Sequence, residues 1–312
     1  MKPYAILAGL VAIAAVPHAS LLAADFQGPR LSSPVLGYAF DDSAKAIRTI
    51  SGVPGAASWG PAVELADTLT AAWVHSQARV AIGIDKSGAA VAVAWSGTVQ
   101  SLPLTSALDT LQQVAFSRSG VYAVLSDGSG IEVWTQLTGT PRLAWSAAAV
   151  ATSLAVDDAG SVAAGLKDGS LVRLTGAESR TLSTAGDWKA VTLTADGKVA
   201  AADATLGQVA LITDDGGFTV LGSFTGSALA LAASPSGDQI AVLEDGSISI
   251  FAAGSVSHIG LDVDPKAQGL QLLAGDFVVF LQGAGRTVDT ATGELRLTTI
   301  QNQTGIQGGS AQ

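Results

Sequence analysis

Six carboxylate side chains recur at similar places along the sequence, and they are its strongest candidates for chemistry. They are Asp85, Asp127, Asp168, Asp203, Glu244 and Asp245. Carboxylates held within a Debye length of each other create a negative field that attracts an amine, a cationic peptide or Ca²⁺. The same side chains also build turns, because aspartate accepts hydrogen bonds from backbone amides two residues further on. The sequence favours turn formation and leaves the binding site open as the alternative.

Nucleophilic catalysis would require a base beside a serine or threonine, and histidine is the usual base. Beyond the N-terminal segment the chain has His75 and His258, and neither lies near a Gly-x-Ser-x-Gly motif. The chain has no cysteine, which excludes thiolate nucleophiles and disulfides. No Asp-x-Asp-x-Asp loop or His-x-x-x-His pair predicts a calcium or zinc site. We therefore interpret both histidines as structural and expect no metal, no cofactor and no enzymatic activity.

Two tryptophans lie near predicted loop boundaries, where an aromatic side chain can line a surface pocket. They are Trp59 and Trp145, and aromatic residues are enriched at protein interfaces. We assign them, with the six carboxylates, to a candidate binding face. Trp73 and Trp188 lie within predicted apolar strands, so core packing is their first interpretation.

The elements that must position these residues repeat along the chain. Short runs rich in Val, Ile, Leu and Ala alternate with Asp-Gly and Ser-Gly turns. A turn glycine follows the first strand of each unit, at Gly120, Gly160, Gly197, Gly237 and Gly275. The steps between these glycines are 40, 37, 40 and 38 residues. A period of about 40 residues with four short strands is typical of a β-propeller blade. In that fold the predicted carboxylate loops share one face with the loops that connect the blades.

Two units carry a more specific resemblance. Residues 116–120, 123–128 and 131–134 read FSRSG, AVLSDG and IEVW, while residues 233–237 and 245–251 read ASPSG and DGSISIF. These segments resemble the repeats of bacterial exported β-propellers of the WD-repeat-like or YVTN type. The resemblance covers most of the chain and implies an all-β architecture, with little indication of activity. The chain lacks the Gly-His and Trp-Asp pairs of true WD repeats, so we expect its blades to be held together by apolar packing.

The two ends of the repeat region predict the number of blades. Residues 40–48 and 288–296 both look like a third strand, a turn and a fourth strand. Asp41 and Asp289 are 248 residues apart, which corresponds to six steps of about 41 residues. We therefore predict a seven-bladed β-propeller with four antiparallel strands per blade, and six blades as the alternative. The first blade is irregular, because residues 35–50 form its outer hairpin and only residues 51–66 remain for its inner strands.

The N-terminal residues are typical of a secretory signal. Lys2 precedes an apolar run over residues 5–16, and Ala23 and Ala24 supply small residues before Asp25. As a helix the run would rise roughly 18 Å, too short for a hydrocarbon core of about 30 Å. A retained anchor is the alternative. We predict a signal peptide at residues 1–24, a linker at 25–34, the propeller at 35–300 and a flexible tail at 301–312.

Composition narrows the possible partners. Sixteen basic and twenty-six acidic residues give a net charge of −10, which argues against nucleic acid as a partner. We therefore expect an exported, periplasmic or extracellular monomer with no membrane span after cleavage. Its leading function is a non-enzymatic scaffold that binds a protein or another component of the cell envelope, a cationic one included. The alternatives are a propeller enzyme resembling the lactonase-type or quinone-cofactor families, and a structural surface protein.

Overall fold

The computed structural model describes most of residues 34–302. The predicted signal peptide, the linker except residue 34, and residues 303–312 lie outside the described residues, as does Asp245 of the candidate binding face. The described residues contain strands and turns but no helix, and hence no helix long and apolar enough to cross a membrane. The gaps are residues 54–55, 177, 235–238, 245–246, 253–254, 261–269, 274–276, 281–285, 290–296 and 300.

The strands follow one another in groups along the chain. The first group is β1 (Val35–Asp41), β2 (Ala46–Val53) and β3 (Ala56–Ala62). The second is β4 (Leu69–Val74), β5 (Val80–Asp85), β6 (Ala90–Ala94) and β7 (Gln100–Pro103). The third is β8 (Gln113–Phe116), β9 (Tyr122–Ser126), β10 (Ile131–Thr135) and β11 (Arg142–Ala147). The fourth is β12 (Ala151–Val156), β13 (Val162–Leu166), β14 (Leu171–Leu174) and β15 (Ser179–Ser183).

Three further groups complete the described chain. The fifth is β16 (Trp188–Leu193), β17 (Val199–Asp203), β18 (Gln208–Ile212) and β19 (Phe218–Ser223). The sixth is β20 (Ala228–Ala233), β21 (Gln239–Glu244), β22 (Ser247–Ala252) and β23 (Ser255–Gly260). The seventh is β24 (Leu270–Leu273), β25 (Phe277–Phe280), β26 (Arg286–Asp289) and β27 (Leu297–Thr299). The short strand β28 (Gln301–Asn302) ends the series, in what the sequence predicts as tail.

Each group forms one sheet, which we number 1 to 7 in chain order. Sheets 2 to 7 each contain four antiparallel strands in the order of the sequence. From sheet 3 to sheet 7 the first strands of successive sheets lie side by side, which makes the fold an all-β propeller with four antiparallel strands per blade. Sheet 1 differs, because its fourth strand is β28, which pairs with β3 in parallel. The predicted regular blade is therefore found six times, as in the six-blade alternative, and sheet 1 is a mixed sheet.

The predicted role of residues 35–50 as an outer hairpin is wrong. β1 lies beside β4, the first strand of sheet 2, and Tyr38 N donates to Ser76 O at 2.9 Å. β1 and β2 are therefore the first and second strands of sheet 1. Burial gives the physical reason: residues 36–39 are all buried, whereas the outer strand β11 is mostly exposed. The segment at 51–66 supplies the third strand instead of an inner pair.

The core lies between neighbouring sheets and depends on small residues where the sheets are closest. Ala200, Ala201 and Ala202 of β17 are fully buried. At Gly165 of β13, an added Cβ would lie 2.7 Å from the Cβ of Trp188 on the next sheet. Since real Cβ atoms do not approach that closely, only glycine fits beside this tryptophan. The alanine- and glycine-rich strands of the sequence thus follow from close sheet packing.

Polar bonds also connect neighbouring sheets, so the expectation of apolar packing alone is wrong. They lie where the first strands of the sheets end and turn into the second. His75 Nε2 contacts Arg118 O at 3.0 Å, Ser119 Oγ donates to Asp158 at 2.6 Å, and Arg173 Nη1 donates to Gly197 O at 2.9 Å. These bonds join sheets 2 and 3, 3 and 4, and 4 and 5. These bonds do not involve the Gly-His and Trp-Asp pairs of WD repeats. The absence of those pairs from the sequence therefore did not exclude polar bonds between the sheets.

Candidate functional site

The first strands of sheets 2 to 7 enclose a central channel with a volume of about 840 Å³. Its wall combines small and apolar side chains, from the alanine-, valine- and leucine-rich runs of each repeat, with serine, threonine and glutamine side chains. Trp73 and Phe116 contribute half-buried aromatic rings. A concave space of this size that combines apolar side chains with uncharged polar groups is a usual form of a small-molecule site. The channel is therefore the leading candidate site in the described part of the chain.

Few charged side chains line the channel. Among the described lining residues they are Arg118, Asp157, Asp158 and Lys189. Asp157 pairs with Arg173 at 2.6 Å, and Asp158 accepts the Ser119 bond that joins sheets 3 and 4. Both aspartates lie at the end of β12, whereas Lys189 lies at the start of β16. The charges are thus confined to the two mouths, and the wall between them is neutral.

A β-bulge recurs at the second residue of several first strands. The register shifts around Thr70 in β4, Thr152 in β12, Lys189 in β16 and Leu229 in β20. A bulge places two residues opposite one on the neighbouring strand and redirects the extra side chain. Thr152, Lys189 and Leu229 all line the channel. The bulges therefore bring one variable side chain from each of these sheets to the same mouth, which we call the bulge mouth.

At part of the bulge mouth the side chains serve the sheets themselves. Gln113 Nε2 donates to Thr152 O at 3.0 Å. Thr152 Oγ1 in turn contacts Trp188 O at 3.1 Å, and Ser153 Oγ donates to the same carbonyl at 2.8 Å. These bonds join sheet 3 to sheet 4 and sheet 4 to sheet 5. The polar groups on this side of the mouth are therefore already satisfied.

His75 lies at the opposite mouth and has a structural role in the described geometry. Its Nδ1 accepts hydrogen bonds from Gln77 N at 3.1 Å and Ala78 N at 2.9 Å. The ring proton must then be on Nε2, which donates to Arg118 O. Burial lowers the pKa of His75 below its usual value, which favours this neutral form. A histidine with both nitrogens bonded to backbone is not free to act as a base.

His258 belongs to a relay that the sequence did not predict. Its Nδ1 lies 2.7 Å from Ser249 Oγ, and the same hydroxyl donates to Glu244. The three residues come from neighbouring strands β23, β22 and β21. Ser249 is fully buried, so its oxygen lies between the carboxylate and the imidazole and out of reach of a substrate. The arrangement differs in that respect from a catalytic triad, where the nucleophile faces the substrate.

Three of the predicted carboxylates cap the turns that contain them. Asp85 accepts from Ser87, Asp127 from Ser129 and Gly130, and Asp168 from Ser170. The backbone N–H of Ser129, with further bonds from its own turn and from Asp109, lowers the pKa of Asp127 to about 2. Hydrogen bonds from serine hydroxyls likewise lower the pKa of Asp85 and Asp168. All three are therefore anionic at neutral pH, and the prediction of a cationic partner stays a prediction.

Two other predicted carboxylates are not available on the surface. Asp203 and Glu244 are only 4% and 2% exposed. Asp203 accepts from Asp187 N at 3.1 Å, and Glu244 accepts from Thr225 N at 3.3 Å, so each holds the loop that leads into its sheet. The assignment of both to an exposed face is therefore wrong. Within the described ranges, no three His, Asp or Glu residues are grouped closely enough to hold a metal ion.

The two tryptophans of the candidate face belong to the packing between strands. Trp59 is 2% exposed, and the Arg48 guanidinium lies 5.7 Å from its ring centroid. Trp145 is half-buried and donates from Nε1 to Gly160 O at 3.1 Å, which joins sheets 3 and 4. Neither lines the channel. Trp59 is therefore a core residue and not part of a surface pocket, because its position near a loop boundary gave no information on the strand packed against it. A surface role for Trp145 stays a prediction.

The fold is similar to solved propeller structures at low sequence identity. An inactive virginiamycin B lyase from Staphylococcus aureus, solved with quinupristin, is 12% identical with a TM-score of 0.59, over 77% of this chain and 88% of the lyase. PorZ, a surface component of the type-IX secretion system of Porphyromonas gingivalis, is 13% identical with a TM-score of 0.61, over 86% of this chain and 38% of PorZ. YCF48 bound to D1 peptide is 13% identical with a TM-score of 0.54, over 88% and 96%. No protein-family model and no curated protein matches the chain.

These similarities correct the expectation that the chain has no enzymatic activity. That expectation depended on the repeat fold and on missing catalytic motifs. Virginiamycin B lyase is an enzyme on the same fold, so the architecture hosts catalysis as well as binding. The lack of a Gly-x-Ser-x-Gly motif therefore does not exclude activity, and an identity of 12% relates the two proteins by fold alone. On its repeated four-stranded sheets and these neighbours, the chain is a repeat-type β-propeller.

Proposed function

We propose that the protein binds an elongated, mainly apolar ligand in its central channel. The observation that carries the proposal is the channel itself: about 840 Å³, with a neutral wall and charges only at its mouths. Its volume lies in the range of about 300–1,000 Å³ that ligand pockets occupy. Burying apolar ligand surface against such a wall is favourable by about 25 cal/mol per Å². An uncharged or singly charged chain-like molecule fits this wall best.

Two of the similar structures support a binding role for this architecture. The lyase was solved with quinupristin and YCF48 with D1 peptide, so two proteins of this architecture have been solved with a second molecule. We further propose that the protein acts outside the cytoplasm, because residues 1–24 have the composition of a secretory signal. A protein in that location would meet ligands or partners of the cell envelope.

A charge placed at the bulge mouth tests the proposal. Leu229 lines the channel and is 41% exposed, and Leu206 is an exposed leucine in the β17–β18 turn, outside the channel. We expect Leu229→Glu to weaken binding of the uncharged fluorophore N-phenyl-1-naphthylamine at least about tenfold, because a carboxylate, even one paired with the nearby Lys189, replaces apolar contact surface and holds water beside the bound fluorophore. Fluorescence titration of the full chain measures this.

Leu206→Glu is the matched control, and it should bind the fluorophore as the unaltered protein does. Equal weakening by both substitutions would indicate a general effect of added charge. An unaltered protein that does not bind the fluorophore would contradict the proposed function.

We also propose that sheet 1 completes the ring as a seventh blade that β28 closes. Supporting observations are that β1 lies beside β4 and that Gln301 and Asn302 pair with Ser58 and Trp59 of β3. Removing residues 301–312 should therefore destabilise the domain, whereas removing only 303–312 should not. A loss of about 1 kcal/mol would lower the Tm by about 2–4 °C in a domain of this size. Equal melting temperatures for the two truncations would contradict the closing role of β28.

A further inference from the structure

The side chains at the bulged positions differ in their contacts between the two sides of the bulge mouth. In sheet 4 the bulged Thr152 bonds the next sheet through Trp188 O. In sheets 5 and 6 the same position holds Lys189 and Leu229, on the adjacent strands β16 and β20. The Lys189 side chain is 47% exposed and Leu229 is 41% exposed. One sector of the mouth thus places an ammonium group next to an exposed apolar side chain.

Among the described residues the Lys189 ammonium pairs with one carboxylate, which is itself exposed. Its Nζ lies 2.9 Å from Asp187 Oδ1, and the Asp187 side chain is 44% exposed. Ion pairs between exposed groups are weak and exchange partners easily. An anionic group on a ligand can therefore replace Asp187 beside Lys189 without disturbing the fold, since the backbone N–H of Asp187 is held separately by Asp203.

The opposite mouth offers no net positive charge. Arg118 and Arg173 there are matched by Asp158 and Asp157. A ligand with an anionic group at each end would therefore find a favourable charge interaction at only one mouth. The bulge mouth combines a cation with an apolar neighbour, which matches a single anionic group attached to an apolar chain.

We infer that Lys189 and Leu229 make the channel selective for amphiphilic monocarboxylates, with the carboxylate at Lys189 and the chain passing Leu229 into the channel. The inference rests on the proposed function, because it requires the channel to be the binding site. The ligands of this class are fatty acids and other apolar molecules that end in one carboxylate.

Two ligands of equal chain length test the inference. Decanoate and 1-decanol differ only in the end group, and each can displace N-phenyl-1-naphthylamine from the full chain at pH 7.5. We expect decanoate to bind about two- to fivefold more tightly than decanol, the range of an exposed ion pair. Lys189→Gln should remove this preference by lowering the affinity for decanoate to that for decanol. Asp187→Asn should increase the preference, because it removes the competing carboxylate.

The chain offers a matched control in a second Asp-x-Lys pair. Lys198 lies 2.6 Å from Asp196, with exposures of 42% and 56%, in the turn between β16 and β17 at the far end of the strand. Lys198→Gln removes the same charge and should leave the decanoate preference intact. Equal loss in both variants, or equal affinity for decanoate and decanol in the unaltered protein, would overturn the inference while the channel function stands. Failure of both ligands to displace the fluorophore would contradict the channel function itself.

Discussion

Trp188→Ala should destabilise the protein by about 3–5 kcal/mol, the usual range for removing a buried tryptophan. Trp188 is 2% exposed and packs between sheets 4 and 5, where an added Cβ at Gly165 or Gly186 would collide with it. Its indole N–H donates to Gly169 O at 3.1 Å. The substitution would leave a cavity between two sheets and remove one inter-sheet hydrogen bond. Urea unfolding, monitored by circular dichroism, measures the loss.

Trp145→Ala is the matched control, because Trp145 also joins two sheets through an indole bond but is only half-buried. Its cost should be clearly smaller, since less apolar surface returns to water. The loss of stability caused by Trp188→Phe should lie between those of Trp188→Ala and Trp145→Ala, because phenylalanine keeps most of the side-chain volume but loses the hydrogen bond. If the two alanine variants were equally stable, the packing of Trp188 between sheets would not be as described.

Glu132→Ala should cost about 3 kcal/mol, because it leaves the buried Trp134 indole N–H without a partner at a cost of about 1–3 kcal/mol and removes two part-buried hydrogen bonds that contribute about 0.5–1.5 kcal/mol each. Glu132 is 2% exposed and accepts three hydrogen bonds. The donors are Ser106 Oγ at 2.8 Å, Ala107 N at 2.8 Å and Trp134 Nε1 at 2.9 Å. The carboxylate therefore holds the loop between β7 and β8 against sheet 3. Urea unfolding gives the free energy, and amide hydrogen exchange of residues 104–111 should become faster.

Glu178→Ala provides the reference for an exposed glutamate and should change stability by less than about 0.5 kcal/mol. The loss of stability caused by Glu132→Gln should lie between those of Glu132→Ala and Glu178→Ala, because an amide keeps one acceptor oxygen but cannot accept all three bonds. Unchanged hydrogen exchange in the loop after Glu132→Ala would show that the loop is held by other contacts.

Local chemistry explains what was predictable from sequence. The Asp-Gly turns at Asp127 and Asp168 form because each aspartate and the amides that it caps are only two or three residues apart. These hydrogen bonds therefore do not require contacts with distant parts of the chain. The alternation of short apolar runs and turns at a period of about 40 residues is likewise local, and it predicted the four-stranded blade. The structural role of His75 was also predicted.

What sequence reasoning missed depends on contacts between distant residues. Nothing near Glu132 indicates that it binds a loop 25 residues earlier, and the isolated glutamate reads as a surface residue. Trp59 looked exposed because its partner Arg48 lies on a neighbouring strand. The sequence similarity of residues 40–48 to 288–296 led to the wrong strand order for residues 35–50, since similar residues do not reveal which edge of a sheet faces the axis.

By itself the sequence determined the elements of this protein: strands, capped turns and a repeated unit, because these form through interactions a few residues long. The tertiary structure alone decided which strands line the axis, how β28 joins β3, and that Lys189 and Leu229 share one mouth of a neutral channel. The physical reason is that a channel exists only where the first strands of six sheets meet. The residues around it lie about 40 positions apart and have no local interaction that would mark them.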